Sequence, residues 1–362
     1  MQIIEPTLLL DKKKCLKNIA EMTKKAERHK VTFRPHFKTH QSKEIGRWIR
    51  AFGVDKITVS SLKMAEYFAE DDWRDITVAF PVNLLEIKRI NRLAAKIKLN
   101  LLVESHLVAQ RLDELMRFSV SVFIKIDTGY HRTGLTLRES DEIDRIIYVI
   151  EQSKHLIFKG FLVHSGNTYS APDSESIERI HNESLAQLEQ LKEKYGSGER
   201  ELVLSVGDTP SCAIANRFGP STEIRPGTFV FYDLMQYHLG ACNSDKIAIA
   251  MACPVVAKHP ARNEIVIYGG AVHFSKDYFT DAEGEKVFGY YARGTPQGWG
   301  PPQSCCKLKA LSQEHGIIRA CDKHFAEMKI GQLIHIIPVH SCLTANLMKS
   351  YLTLDGQKIS RL

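Results

Sequence analysis

Apolar and polar positions along the first two-thirds of the chain follow two alternating periods. Short apolar or β-branched runs bounded by polar and turn residues recur at 31–34, 57–59, 76–80, 99–103, 120–126, 157–163, 202–206 and 222–225. Between them, stretches such as 62–69, 84–95, 107–118, 143–150 and 177–195 carry apolar residues at helical spacing. Strands alternating with helices predict parallel βα units, and eight such units make a (β/α)8 barrel of the TIM type. Several of the runs are apolar throughout, as strands buried on both faces require.

Past Phe231 the pattern changes. Strand-like runs at 247–252, 264–267 and 333–338 flank a Gly-, Pro- and Trp-rich stretch at 293–302, and no long helix is expected there. The chain therefore reads as α/β, with a barrel over 11–239 and a second, C-terminal β-rich domain over 240–362 that residues 1–10 join. A length of 362 residues, beyond the usual single-domain size, agrees with two domains.

Composition narrows the function classes. The formal charge of +7 does not point to nucleic acid, because Lys and Arg are scattered among Asp and Glu and the longest basic run is Lys12 to Lys14. A mildly positive protein suits anionic substrates or a phosphate cofactor equally well. There is no apolar run of about 18 residues and no signal-peptide pattern, so a cytoplasmic protein without a membrane partner is expected. The eight cysteines form no CxxC pair and are expected to be mostly free, buried thiols.

The candidate chemistry falls where a barrel would place it, just beyond the C-terminal ends of the strands. The first strand ends in Arg34-Pro35-His36-Phe37-Lys38-Thr39-His40. A lysine crowded by Arg34, His36 and His40 tends toward a depressed pKa, which would make Lys38 an amine nucleophile able to form a Schiff base. Strand five runs into Asp127-Thr128-Gly129 and Arg132, and strand six into His164-Ser165-Gly166-Asn167-Thr168-Tyr169. Strand seven runs into Ser205-Val206-Gly207-Asp208-Thr209-Pro210, and strand eight into Arg225-Pro226-Gly227-Thr228. Thr209 before Pro210 has the pattern of an N-cap with proline at the first helical position, an end that binds phosphate readily. A reactive lysine and a phosphate site in one barrel mouth suit pyridoxal phosphate. A lysine Schiff-base aldolase acting on a sugar phosphate is the rival, but it has no need of the His and Arg array.

The stretches RPHFKTH, DTGYHRTG, HSGNTY, SVGDTPS and EIRPGTFVFYD, in this order, resemble the D-threonine aldolase and D-serine dehydratase family, alanine racemase-like enzymes of pyridoxal-phosphate fold type III. The resemblance implies that Lys38 carries the cofactor and His36 tunes it. It also places His164 by the pyridine ring, Arg132 by the phenolic oxygen and Arg225 facing the ring nitrogen, with Tyr169, Thr209, Gly227 and Thr228 on the phosphate. It further implies a metal beside the cofactor, held by His340 and Cys342. Those two lie two apart after a strand-like run, so their side chains could share one side. A thiolate with an imidazole favours zinc over manganese or magnesium, and two protein ligands leave open positions.

The function implied is a lyase acting on D-3-hydroxy amino acids. A dehydratase of D-serine or D-threo-3-hydroxyaspartate, giving a 2-oxo acid and ammonia, is favoured by Cys342. A D-threonine aldolase is the alternative, and an amino-acid racemase or a non-catalytic cofactor carrier ranks below both. By the same resemblance the protein is a homodimer. His273 and Lys276 are candidates to approach the barrel mouth, and Trp299 is expected to be a packed anchor.

Overall fold

The computed structural model describes residues 3–196 and 202–362. A first strand, β1 (Thr7–Leu10), precedes helix α1 (Lys12–Arg28). Eight parallel strands follow: β2 (Thr32–Phe33), β3 (Lys56–Val59), β4 (Asp75–Pro81), β5 (Lys98–Val103), β6 (Val120–Ile126), β7 (Leu156–Val163), β8 (Val203–Val206) and β9 (Glu223–Ile224). The intervening helices are α2 (Lys43–Arg50), α3 (Leu62–Ala69), α4 (Ile87–Ala94), α5 (His106–Leu115), α6 (Ser140–Gln152), α7 (Ser174–Tyr195) and α8 (Thr209–Ile214).

The order β2-β9-β8-β7-β6-β5-β4-β3 closes on itself through a parallel bridge from His36 to Thr58, so the eight expected runs form the expected barrel. All seven residues of β6 are buried, the consequence of strand faces covered on both sides. Leu102, Phe123, Leu162 and Val203 from four successive strands form one apolar cluster. Next to the apolar residues runs a buried polar chain. Arg34 ion-pairs with Glu223 (2.6 Å) and Asp75 (2.7 Å), and Glu223 accepts from Ser205 Oγ (2.6 Å). Ser205 Oγ in turn accepts from Arg225 Nε (2.6 Å).

The remaining strands are β10 (Ile249–His259), β11 (Glu264–Tyr268), β12 (Phe279–Thr280), β13 (Lys286–Val287), β14 (Gly289–Thr295), β15 (Gly298–Leu311), β16 (His315–Arg319), β17 (Leu333–Pro338), β18 (Ser350–Thr353) and β19 (Lys358–Ser360). Only short helices accompany them: α9 (Leu234–His238), α10 (Ala271–Phe274), α11 (Asp322–Glu327) and α12 (Ser341–Leu347). The order β11-β16-β15-β14-β17-β10, with β10 also paired to β11, is a closed antiparallel barrel, and β1, β18 and β19 extend it from β10. The stretch 293–302 is not a spacer. It is the tip of the β14–β15 hairpin, with Thr295 opposite Gly298, and Trp299 is buried on β15.

Two compact units result. One comprises Met22–Lys38 and Ile49–Gly227, and the other Met1–Glu21, Thr39–Trp48 and Thr228–Leu362. Relative to spans of 11–239 and 240–362, the stretches 11–21, 39–48 and 228–239 lie with the β-rich unit. Residues 197–201 of the first span, and residues 1–2 of the N-terminal stretch expected to join the second, fall outside the described residues. Hydrogen bonds within that unit give the reason. Asn18 Nδ2 donates to Lys246 O (2.8 Å), and Tyr351 Oη donates to His40 O (2.7 Å). Among the described residues no helix is long and apolar enough to cross a membrane.

Candidate active site

Within the parallel-barrel unit, the polar loops meet at the C-terminal ends of the strands. After β6, Asp127 Oδ1 accepts from the N–H groups of Gly129, Tyr130 and His131 at 2.9–3.0 Å, which folds the DTGYHRTG loop onto its own strand. Gly134 is required there: at φ +107°, a Cβ would lie 2.8 Å from Ile126 C. The Arg132 guanidinium sits over the Tyr130 ring, 5.1 Å from its centroid. After β7, Gly166 brings the backbone against that same ring, where a Cβ would be 2.3 Å away.

Electrostatics show which groups converge. Burial pushes His36 well below its usual pKa, and Lys38, Arg225, His164 and Arg132 push it further. Burial likewise pushes His164 down to about 3, helped by Lys38, Arg132 and Arg225 and opposed by the Gly207 carbonyl. His164 is therefore neutral, and its Nδ1–H donates to Gly207 O, which leaves the Nε2 lone pair outward. The leading charge effects on these two histidines come from cations and, for His36, from His164, a setting that suits an anionic aromatic ligand.

Arg225 is buried, with Nε and Nη2 held by Ser205 Oγ and the Val163 and Ser205 carbonyls. Burial lowers its guanidinium to about 10. Beyond β8, the Thr209 N–H donates to Tyr169 Oη (3.2 Å), and Thr209 Oγ1 accepts from the Gly227 N–H (3.2 Å). The two hydroxyls take up these backbone N–H groups, and their own O–H groups are donors of the kind a phosphate takes.

The β-rich unit holds the second group. His340 is the N-cap of α12 and Cys342 lies in its first turn. His340 Nδ1 is 2.6 Å from Asp277 Oδ2. Burial alone would lower this imidazole, but Asp277, Cys342 and Asp233 together hold it up at about 10. Cys342 Sγ lies 3.2 Å from Thr39 Oγ1 and 3.5 Å from Thr228 Oγ1. Imidazole and thiol face each other with a carboxylate behind the imidazole, the outer partner a metal-binding histidine commonly has.

Residues 10–234 match the family model described as "Alanine racemase, N-terminal domain". The chain belongs to the alanine racemase N-terminal domain family. Residues 248–354 match a further model, "Putative serine dehydratase domain". The chain is 29% identical to the D-serine dehydratase of Dictyostelium discoideum, covering 92% of this chain and 89% of the relative. It is also 29% identical to the D-threo-3-hydroxyaspartate dehydratase of Delftia sp. (strain HT23), covering 97% and 94%. The solved structure of that Delftia enzyme superimposes with a TM-score of 0.89 at 27% identity, covering 100% of this chain and 98% of that one. Solved variants of D-threo-3-hydroxyaspartate dehydratase include a histidine and a cysteine two positions apart, each replaced by alanine, the cysteine variant in the metal-free form. A D-threonine aldolase of Arthrobacter sp. matches at 24% identity, covering 94% and 86%.

In this alanine racemase-like chain several details differ from the sequence reading. The N-cap of α8 is Asp208, whose carboxylate accepts from the Ser211 N–H, so Thr209 is the first helical residue and its N–H is already bonded to Tyr169. Arg34 does not serve Lys38; it is committed to Glu223 and Asp75. His40 is buried, with Nδ1 accepting from the Ser42 N–H. Thr228 Oγ1 is found at Cys342 Sγ. His340 and Cys342 are brought together by a strand-to-helix turn, not by strand alternation. His273 has a local role, its Nδ1 accepting from the Gly270 N–H.

Asp277 and Lys125 were not anticipated as site residues, and Ser205, though part of the strand-seven cluster, was not anticipated as the support of Arg225. Lys125, unlike the exposed Lys38, is a buried amine, lowered to about 8 chiefly by burial, with Nζ donating to Ile126 O (2.6 Å). Asp277 closes the GGAVHFSKD stretch, but nothing in that stretch signals a partner 63 residues away.

Proposed function

We propose that this protein is a pyridoxal-phosphate- and metal-dependent lyase that removes water from a D-3-hydroxy amino acid, D-serine or D-threo-3-hydroxyaspartate, giving a 2-oxo acid and ammonia. The observation that carries the reading is the convergence of Lys38, His36, Arg132, His164 and Arg225 at one end of a parallel barrel. Pyridoxal phosphate bound there supplies an aldehyde for the substrate amine and a ring that accepts electrons.

The chain's own groups do the rest. The Lys38 amine holds the cofactor before the substrate arrives and then moves the proton at the substrate Cα. Arg225, fixed by Ser205, orients the ring nitrogen, and neutral His164 lines the ring. Arg132 faces the phenolic oxygen and His36 tunes the Lys38 amine. Tyr169, Thr209 and Gly227 hold the phosphate, with Thr228 adjoining them through its backbone while its hydroxyl lies at Cys342. His340 and Cys342 hold zinc, which supplies Lewis acidity to a hydroxyl leaving group. Thr39 directly follows Lys38 in the sequence, and Thr228 directly follows Gly227, which supports assigning both groups to one reaction. A homodimer completes the reading.

Dehydration is preferred over retro-aldol cleavage because the dehydratases match at higher identity than the aldolase and because position 342 offers a thiol. The test is a panel of D-serine, D-threo-3-hydroxyaspartate and D-threonine, with 2-oxo acid, ammonia, glycine and aldehyde all measured. Zinc-dependent oxo acid and ammonia are expected from one of the first two. Glycine and aldehyde from D-threonine without oxo acid would assign the aldolase reaction instead, and no turnover of any member would overturn the reading.

A further inference from the structure

A third polar cluster lies in the β-rich unit, sharing no residue with the His340 and Cys342 pair. Neighbouring residues of a regular strand point to opposite faces, so Cys305 and Cys306 on β15 should diverge. They do not, because β15 bulges at this point. Tyr290 pairs with Lys307 and Tyr291 with Gln303, which leaves residues 304–306 without partners on β14. A bulge re-aims side chains. The result is that Cys305 Sγ and Cys306 Sγ lie 3.9 Å apart.

Two further donors arrive from the segment that follows β16. The Cys321 N–H donates to Cys305 O (3.1 Å), which sets Cys321 Sγ 2.8 Å from Cys305 Sγ and 3.9 Å from Cys306 Sγ. One turn into α11, His324 joins them, and the four donor atoms all lie within 4.8 Å of one another. His324 Nδ1 is 3.2 Å from Glu327 Oε2, so Nε2 is the ring nitrogen left for a ligand, and the carboxylate holds the ring as an outer partner would. Cys306 and His324 are buried and Cys305 is exposed, which gives an ion a way in.

We propose that Cys305, Cys306, Cys321 and His324 form a Cys3His site for a structural zinc ion that ties the β15 bulge to α11. Three thiols and one imidazole are a standard closed zinc set, and the Cys-x-x-His spacing of Cys321 and His324 is that of short zinc motifs. Two of the three sulfur pairs match the edge of about 3.8 Å that a tetrahedron with Zn–S bonds of about 2.3 Å requires. The third pair, at 2.8 Å, opens around the ion.

The test is zinc content in the purified holoenzyme carrying His340→Ala and Cys342→Ala, which removes the other metal pair. About one equivalent of zinc per chain is expected to remain after gel filtration, and adding Cys321→Ser is expected to remove it. An equivalent that persists in the Cys321→Ser variant, or none in its absence, overturns the proposal. A measurement on the unsubstituted chain covers the case in which a variant fails to fold. Zinc is expected to protect Cys305, Cys306 and Cys321 from alkylation at least tenfold over the chelated protein, mapped by peptide mass. Unprotected thiols, or a Cys305–Cys321 disulfide in zinc-free native protein, would refute the site.

Discussion

His340 and Asp277, 63 residues apart in sequence, meet with Nδ1 2.6 Å from Oδ2. This contact engages Nδ1 and orients the ring as the outer partner of a metal-binding imidazole does; held up at about 10, the ring carries both protons, and a metal would displace the one on Nε2. Removing the carboxylate should therefore act on the metal before it acts on the fold. If His340 and Cys342 hold zinc as proposed, Asp277→Ala is expected to weaken it by about 10- to 100-fold, with turnover recovering at higher zinc. Competition with a chromogenic chelator reads the change. Unchanged affinity would show that Asp277 only packs.

The buried chain from Asp75 through Arg34 to Glu223 and Ser205 ends on Arg225. Arg34→Met leaves Glu223 as an uncompensated buried charge and should cost about 3–5 kcal/mol of stability. Adding Glu223→Gln should restore part of that loss. Denaturant midpoints of the single and double variants decide it; equal midpoints for Arg34→Met and the unsubstituted chain would remove the network from the account.

How much of this was legible in the sequence follows from the physics of each part. The eight parallel strands showed because strands buried on both faces are continuous apolar runs, as β6 is. The antiparallel barrel did not show. Its strands are long and bulged, and β15 carries Gly300, Pro301 and Pro302, which read as loop. Lys38, Arg132, His164 and Arg225 were found because each follows a strand end. The supporting roles of Ser205 and Asp277 were not, because a hydrogen-bond partner from another element leaves no local pattern. The same holds for Cys305 and Cys321, whose approach depends on a bulge.

Stability should fall in mild acid. The folded chain keeps His40 and His164 neutral down to about 3, chiefly by burial, while the unfolded chain protonates them near 6.5. Between those values the unfolded state binds more protons, so stability is full above 6.5 and is lost as pH drops below it. Each group contributes a slope of up to about 1.4 kcal/mol per pH unit. Urea midpoints of the cofactor-stripped chain from pH 7 to 5 should decline, and less steeply in His40→Gln. A flat profile would contradict this.

Gly166 has no room for a methyl group, since a Cβ would lie 2.3 Å from the Tyr130 ring. Gly166→Ala should push Tyr130 off the edge of His164, where their ring centroids now lie 5.9 Å apart. Cofactor affinity is expected to fall about tenfold, equivalent to about 1.4 kcal/mol, read by equilibrium dialysis. Unaltered affinity would separate this loop from the cofactor.

The central claim is that Lys38 is the amine that holds the cofactor, and borohydride reduction of the purified protein followed by peptide mass mapping tests it most directly. The account predicts a phosphopyridoxyl group on Lys38 and on no other lysine. Its appearance on the buried Lys125, or on none, would contradict the account.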